Sequence, residues 1–178
     1  MSRDTIIGEV HRIFIDCCTH LFVELGCEVN EVDGDPDELA GAPFGYIDAG
    51  SNDLELTVAL RLPLSVLILT YPVIDGASSP DEATLEDWVS ELTNQLIGKI
   101  KRRLLQHDCT IKIGLPMALF GANIDEAMPT DAVQLATFLT VDHELCECRL
   151  AIEIFNDDMA FAAAAEEADD SGGELEFF

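Results

Sequence analysis

The sequence predicts an α+β fold, a mostly antiparallel six-stranded sheet covered by two long helices. Three observations carry this prediction. Apolar residues recur at helical spacing over two long segments, 3–25 and 80–106. Six shorter segments, rich in aliphatic and β-branched residues, read as strands. The order is helix, three strands, helix, three strands, and runs of strands separated by single helices favour α+β.

Residues 3–25 form the first helix. Ile6, Val10, Ile13, Phe14, Cys17 and Leu21 make its apolar stripe, and Gly26 is placed to end it. Residues 30–43 read as a polar loop. Asp33, Asp35 and Asp37 have the spacing that starts a calcium loop, but Glu38 stands where that loop needs Gly and Phe44 where it needs Glu. The segment is therefore read as an acidic turn. Strands follow at 44–51, 54–61 and 64–71, with turns at Ser51-Asn52-Asp53 and Leu62-Pro63. Leu54, Leu56, Val58 and Leu60 alternate with other residues, so one sheet face is buried there. SVLILTY is apolar on both sides and reads as an inner strand.

The long helix is the element around which the chain is organised. Ser79-Pro80-Asp81-Glu82 reads as a capping box, with Ser79 as the cap. Leu85, Trp88, Val89, Leu92, Leu96, Ile100 and Leu104 then fall on one face at about 100° per residue. Asp87, Glu91, Asn94 and Gly98 step by four, three and four and form a narrow stripe on the other side. From Pro80 to Gln106 such a helix is about 40 Å long. Strands at 109–117, 132–141 and 145–155 complete the domain. A loop at 118–131 precedes the last two, and Asp142-His143-Glu144 is a short hairpin connection. The domain spans 1–162, and the acidic segment 163–178 is expected to be disordered.

Composition narrows the function. Of the 178 residues, 48% are hydrophobic, enough for one core, and the formal charge is −26. Such a surface repels DNA, RNA and anionic membranes. Lys99, Lys101, Arg102 and Arg103 are four of only nine basic residues. Cations favour the C-terminal half of a helix; the other reading is a local basic spot against an acidic partner. The first residues carry scattered charges, unlike a signal peptide, and no apolar run reaches spanning length. The expected location is cytoplasmic, with the six cysteines reduced and mostly buried. No CxxC or HxxxH pair suggests zinc, nothing marks a Cys/His nucleophile, and glycine-rich phosphate loops and the GxSxG elbow are absent.

Glu91-x-x-Asn94 alone has little weight, since Glu153 and Asn156 repeat the spacing in a strand. Its context adds to it. ELTNQLIGKIKRRL, a turn and IKIGLPMALFG resemble the CheX/CheC/FliY family of chemotaxis phosphatases, CheX most closely. The matching positions are Asp87, Glu91, Asn94, Gly98, Lys99, Leu115, Pro116 and Gly121. A single motif, as in CheX, is present. Three departures stand out: Ile97 occupies a position usually small, Glu91-Leu92-Thr93 lacks the Gly common in this turn of the family, and only Pro72 to Ser79 fills a gap where the family has extra helical sequence.

The resemblance implies dephosphorylation of the aspartyl phosphate of a CheY-type response regulator. Asn94 is then expected to orient the attacking water and Glu91 to grip the regulator's lysine. Asp87, Gly98 and Lys99 are expected to contact the partner. The chain needs no cofactor of its own, and Mg2+ is expected in the regulator. A homodimer is also suggested. The alternative is a catalytically weak CheX-like scaffold for a response regulator, favoured by the short approach to the helix and by the −26 charge.

Overall fold

The computed structural model describes residues 2–72, 79–156, 158, 159, 161 and 162. The first helix, α1 (Arg3–Glu24), is capped by the Ser2 hydroxyl, which accepts from the Thr5 N–H. It buries the expected stripe together with Cys18 and Phe22, and ends at Gly26, whose φ of 85° is the left-handed value glycine tolerates.

Among the described residues the sheet has seven strands, all pairing antiparallel. They are β1 (Val29–Val32), β2 (Phe44–Gly50), β3 (Leu54–Arg61), β4 (Lys112–Ile113), β5 (Met117–Leu119), β6 (Val133–Val141) and β7 (Glu144–Ile154). Their order is β1-β6-β7-β3-β2-β4, with β5 also pairing β2. The β6–β7 hairpin turns at Asp142 and His143, both at positive φ (47° and 72°), the two-residue geometry that matches strand twist. The Asp142 carboxylate also accepts from the Glu28 N–H, which ties the turn to the strand leading into β1.

Three expectations are corrected. Residues 64–71 are not an inner strand: Leu64–Thr70 is a helix, α2. An apolar run does not by itself distinguish a buried strand from a helix. Here tertiary pairing decides, because β3 already has β2 and β7 on its two sides, and the free side of β2 goes to β4 and β5. The helix turns Val66, Leu67 and Thr70 inward and leaves Leu64, Ile68 and Leu69 half exposed. Residues 109–117 are not one strand: β4 covers only Lys112–Ile113, and after a break at Gly114–Pro116 β5 starts at Met117 and runs into the expected loop, to Leu119. The Gly114 N–H donates to the Asp48 carbonyl, 2.8 Å, and Pro116 has no N–H to offer. The supposed loop 30–43 contains most of β1 and a 3-10 helix, Pro36–Leu39, capped by Asp35.

The long helix, α3, runs from Glu82 to Leu105. Its cap is Asp81, not Ser79. The Asp81 carboxylate accepts from the Thr84 N–H (2.9 Å) and hydroxyl (2.5 Å), and the hydroxyl's hydrogen bond, with the N–H behind it, holds the carboxyl below its usual range. The preceding stretch 73–78 lies outside the described residues, as does the expected disorder of 163–178.

Helices α1 and α3 lie side by side on one sheet face, α1 over β6 and β7, α3 over β2 and β3. Between them and the sheet sits the main core, including Leu54, Leu56, Val58 and Leu60 of β3. Each such fully buried aliphatic side chain contributes about 1.5–3 kcal/mol. The opposite face carries a smaller core of Phe44, Ala59, Ile124, Met128 and Ala151. Beside it lies a buried ionic group. Glu147, fully buried, accepts from the Arg149 Nε (2.6 Å) and pairs closely with Arg61. Arg61 in turn donates to the Pro36 carbonyl (2.8 Å), and Arg149 pairs with Asp125. The network pins both 3-10 segments, Pro36–Leu39 and Ile124–Ala127, to the sheet.

Candidate functional site

α3 is held by its buried face. Leu85, Val89, Leu92, Thr93, Leu96, Ile97, Ile100 and Leu104 are all buried against the sheet and α1. Contact with β2 is closest at Gly45. A Cβ there would lie 2.4 Å from the Thr93 Oγ1 and 2.8 Å from the Val89 carbonyl oxygen, so only glycine lets the helix backbone sit down on this strand. Thr93 satisfies its buried hydroxyl by donating to the Val89 carbonyl, 2.7 Å. Trp88, expected in the core, lies at its edge. Its indole N–H donates to the Thr70 hydroxyl (3.0 Å), and its ring meets Tyr71 edge-on with centroids 5.8 Å apart. The start of α3 is thereby tied to α2.

The opposite side of α3 carries the stripe. Asp87, Glu91 and Asn94 are exposed, and Gly98 is partly exposed. Asn94 makes no hydrogen bond among the described residues, so both its amide donors and its carbonyl face solvent. Glu91 accepts from the Gln95 Nε2 at 2.9 Å, an i,i+4 contact along the helix. Sequence reading missed Gln95, although its spacing from Glu91 was visible.

Lys99 stands apart from the stripe. Its side chain is largely covered, and it pairs with Glu24 of α1, whose carboxyl is held below the usual range by that hydrogen bond. It lines a cleft of about 220 Å³ between α1 and α3 with Cys17, His20, Glu24, Arg102 and Arg103. Burial pushes the Cys17 thiol up to about 11, so it is not poised as a nucleophile. The second Glu-x-x-Asn spacing is not on a helix. Glu153 belongs to β7, and Asn156 follows that strand and donates to the Asp53 carboxylate, 2.8 Å. Among the described residues no group of three or more His, Cys, Asp or Glu side chains is arranged to hold a metal ion. No described helix is long and apolar enough to cross a membrane.

Solved structures share this fold. CheX from Vibrio vulnificus superposes with a TM-score of 0.68 at 16% identity, over 82% of this chain and 99% of that one. The chain has the CheX/CheC-like fold. CheX from Borrelia burgdorferi, solved in a complex with CheY, BeF3 and Mg2+, matches with a TM-score of 0.62 at 12% identity, over 80% of this chain and 96% of that one. FliY from Thermotoga maritima matches more loosely, with a TM-score of 0.52 at 16% identity over 85% and 90% of the two chains. No family model and no curated protein sequence matches the chain.

Within the CheX-like fold the apparent departure ahead of the long helix disappears. The segment read as a third strand is α2, so helical sequence does stand between β3 and α3.

Proposed function

We propose that this chain is a phosphatase for the aspartyl phosphate of a CheY-type response regulator. One observation carries the reading: on a helix fixed by its whole buried face, Asn94 offers an unengaged amide to solvent, one turn beyond exposed Glu91. Phosphoryl transfer asks little covalent chemistry of a protein; positioning and electrostatics dominate. An amide both donates and accepts hydrogen bonds and carries no charge to repel phosphoryl oxygens. Asn94 therefore enters the regulator's site and holds a water in line with the phosphorus. Glu91 pairs with the regulator's lysine and sets the register of docking, and Gln95 limits the rotamers from which it does so. Gly98, with no side chain, leaves room for the partner's backbone, and Asp87 lies at the other end of the contact. The regulator holds the phosphoryl group and its Mg2+ in its own site. The CheX–CheY complex from Borrelia burgdorferi is a precedent in the same fold for such a partner.

Lys99 is engaged by Glu24, so its role as a partner contact requires it to exchange that partner. The scaffold alternative loses the support of a missing helical segment but retains that of the −26 charge. A timed dephosphorylation assay with candidate regulators tests the proposal. Asn94→Ala is expected to abolish accelerated phosphate release and to leave binding intact, whereas Glu91→Ala weakens both. A wild-type rate from Asn94→Ala overturns it. Binding without acceleration by the parent protein favours the scaffold.

A further inference from the structure

Three of the nine basic residues of this chain line one cleft. Lys99, Arg102 and Arg103 stand at i, i+3 and i+4 on α3, which puts them on a common side of that helix, and Cys17, His20 and Glu24 line the cleft from α1. The lining thus sets three permanent cations against one carboxylate, in a chain whose formal charge is −26. Its volume is about 220 Å³, smaller than the roughly 300–1,000 Å³ of pockets for drug-sized ligands.

The cations converge. Burial pushes the Cys17 thiol up, and Arg103, Lys99 and Arg102 each oppose that push, so all three act on one point between the helices. Their counter-charges are loosely held. The Glu24 side chain, 64% exposed, reaches in to Lys99, and its carboxylate has no other hydrogen-bond or ion-pair partner among the described residues. Asp16 lies 3.6 Å from Arg103 and also 3.6 Å from Arg12, so it is shared. Arg102 forms no ion pair among the described residues, and its exposed guanidinium keeps a fork of N–H donors that matches the oxygens of a phosphoryl group.

We propose that the cleft between α1 and α3 binds a small phosphate-class oxyanion, inorganic phosphate or a short phosphate monoester, held by Lys99, Arg102 and Arg103 and admitted when Glu24 swings out. Glu24 is the resident anion that the ligand replaces. Returning so exposed a carboxylate to water costs little, and the incoming group brings more charge and more acceptor oxygens. Size selects the ligand as well as sign. The acidic surface repels a polyanion or an acidic protein, whereas a small anion inside the cleft senses mainly the cations beside it, because exposed charges beyond about 8–10 Å are screened. The site does not rest on the phosphatase reading. Lys99 is five residues after Asn94, about 140° around the helix, so the cleft opens on a different side from the Asn94 stripe.

Calorimetric titration of the full chain with inorganic phosphate and with glycerol 3-phosphate, at an ionic strength matched with chloride, tests this. The expected result is saturable binding of one anion per chain, with amide NMR shifts confined to residues around Cys17–Glu24 and Lys99–Arg103. Arg102→Gln is expected to weaken it about tenfold or more, Glu24→Gln to tighten it several-fold, and Lys112→Gln, exposed on β4, to leave it unchanged. Tighter binding of the ester supports the site as one for monoesters, and tighter binding of phosphate supports it as one for the free ion. No saturable binding of either, equal weakening by Arg102→Gln and Lys112→Gln, or shifts centred elsewhere overturns the proposal. The titration contains no regulator, so its failure and failure of the phosphatase assay are told apart.

Discussion

Replacing Gly45 by alanine tests whether the seat of α3 on β2 is as tight as the geometry indicates. By strand preference alone the change should help, since glycine within a strand costs about 0.5–1 kcal/mol against alanine. The structure gives the opposite sign. The new methyl would lie 2.4 Å from the Thr93 hydroxyl oxygen and 2.8 Å from the Val89 carbonyl oxygen, where ordinary contact begins at 3.4 Å. The carbonyl belongs to the helix backbone and cannot rotate away, so α3 must lift by roughly 0.6 Å at that point even if Thr93 yields. Overpacking of this kind costs typically about 1–3 kcal/mol. At about 2–4 °C per kcal/mol for a chain of this size, the melting temperature should fall by about 2–12 °C. Thr93→Ala removes the hydroxyl but not the carbonyl clash, so Gly45→Ala/Thr93→Ala should recover only part of the loss, with a coupling of about 0.5 kcal/mol or more. Urea and thermal denaturation of the four proteins measure this. An unchanged or raised melting temperature in Gly45→Ala, or strictly additive effects, would refute the reasoning.

Other outcomes rest on further contacts of the same kind. Glu147→Ala leaves the nearly buried Arg61 without a counter-ion and should cost about 3–5 kcal/mol in equilibrium denaturation, whereas replacing Arg61, Glu147 and Arg149 together by apolar residues should cost far less. Trp88→Phe removes the donor to the Thr70 hydroxyl, which keeps its own donation to the Val66 carbonyl (2.8 Å), with an expected loss of about 0.5–1.5 kcal/mol and a less protected start of α3 in hydrogen exchange. His11, beside Thr137, has its pKa lowered from the ordinary 6.5 by burial, partly opposed by Glu31. Its proton therefore binds the unfolded chain more tightly. Stability should be unaffected above pH 6.5 and fall as pH drops from there through the depressed value, and His11→Gln should flatten that part of the melting-temperature profile.

The parts of the fold legible in the sequence are those where one local signal dominates. The α1 and α3 stripes, the alternation in β3 and the β6–β7 hairpin all have a period or a turn that points one way. Residues 64–70 carry no such period, and their state is decided by which strand positions beside β2 and β3 are already filled, a fact of topology. β1 was hidden for a similar reason: Val29–Val32 is four residues long and half polar, and becomes a strand only because β6 offers its edge. The cap of α3 was misplaced by two residues because Ser79 and Asp81 are both good caps, and only Thr84 shows which is used. For the candidate site, helical spacing alone gave the shared face of Asp87, Glu91 and Asn94. It gave Lys99 no such guidance, because its pairing with Glu24 depends on where α1 comes to rest.

The six cysteines are all buried as free thiols, scattered over α1, the entries to β1 and β4, and β7. Burial raises the pKa of Cys17, Cys18, Cys27, Cys109 and Cys146, which keeps those sulfurs protonated and slow toward alkylating reagents. The molecule thus carries a built-in set of labels for its own breathing. Iodoacetamide pulses, mapped sulfur by sulfur, should show which layer opens first, with no probe having to be introduced.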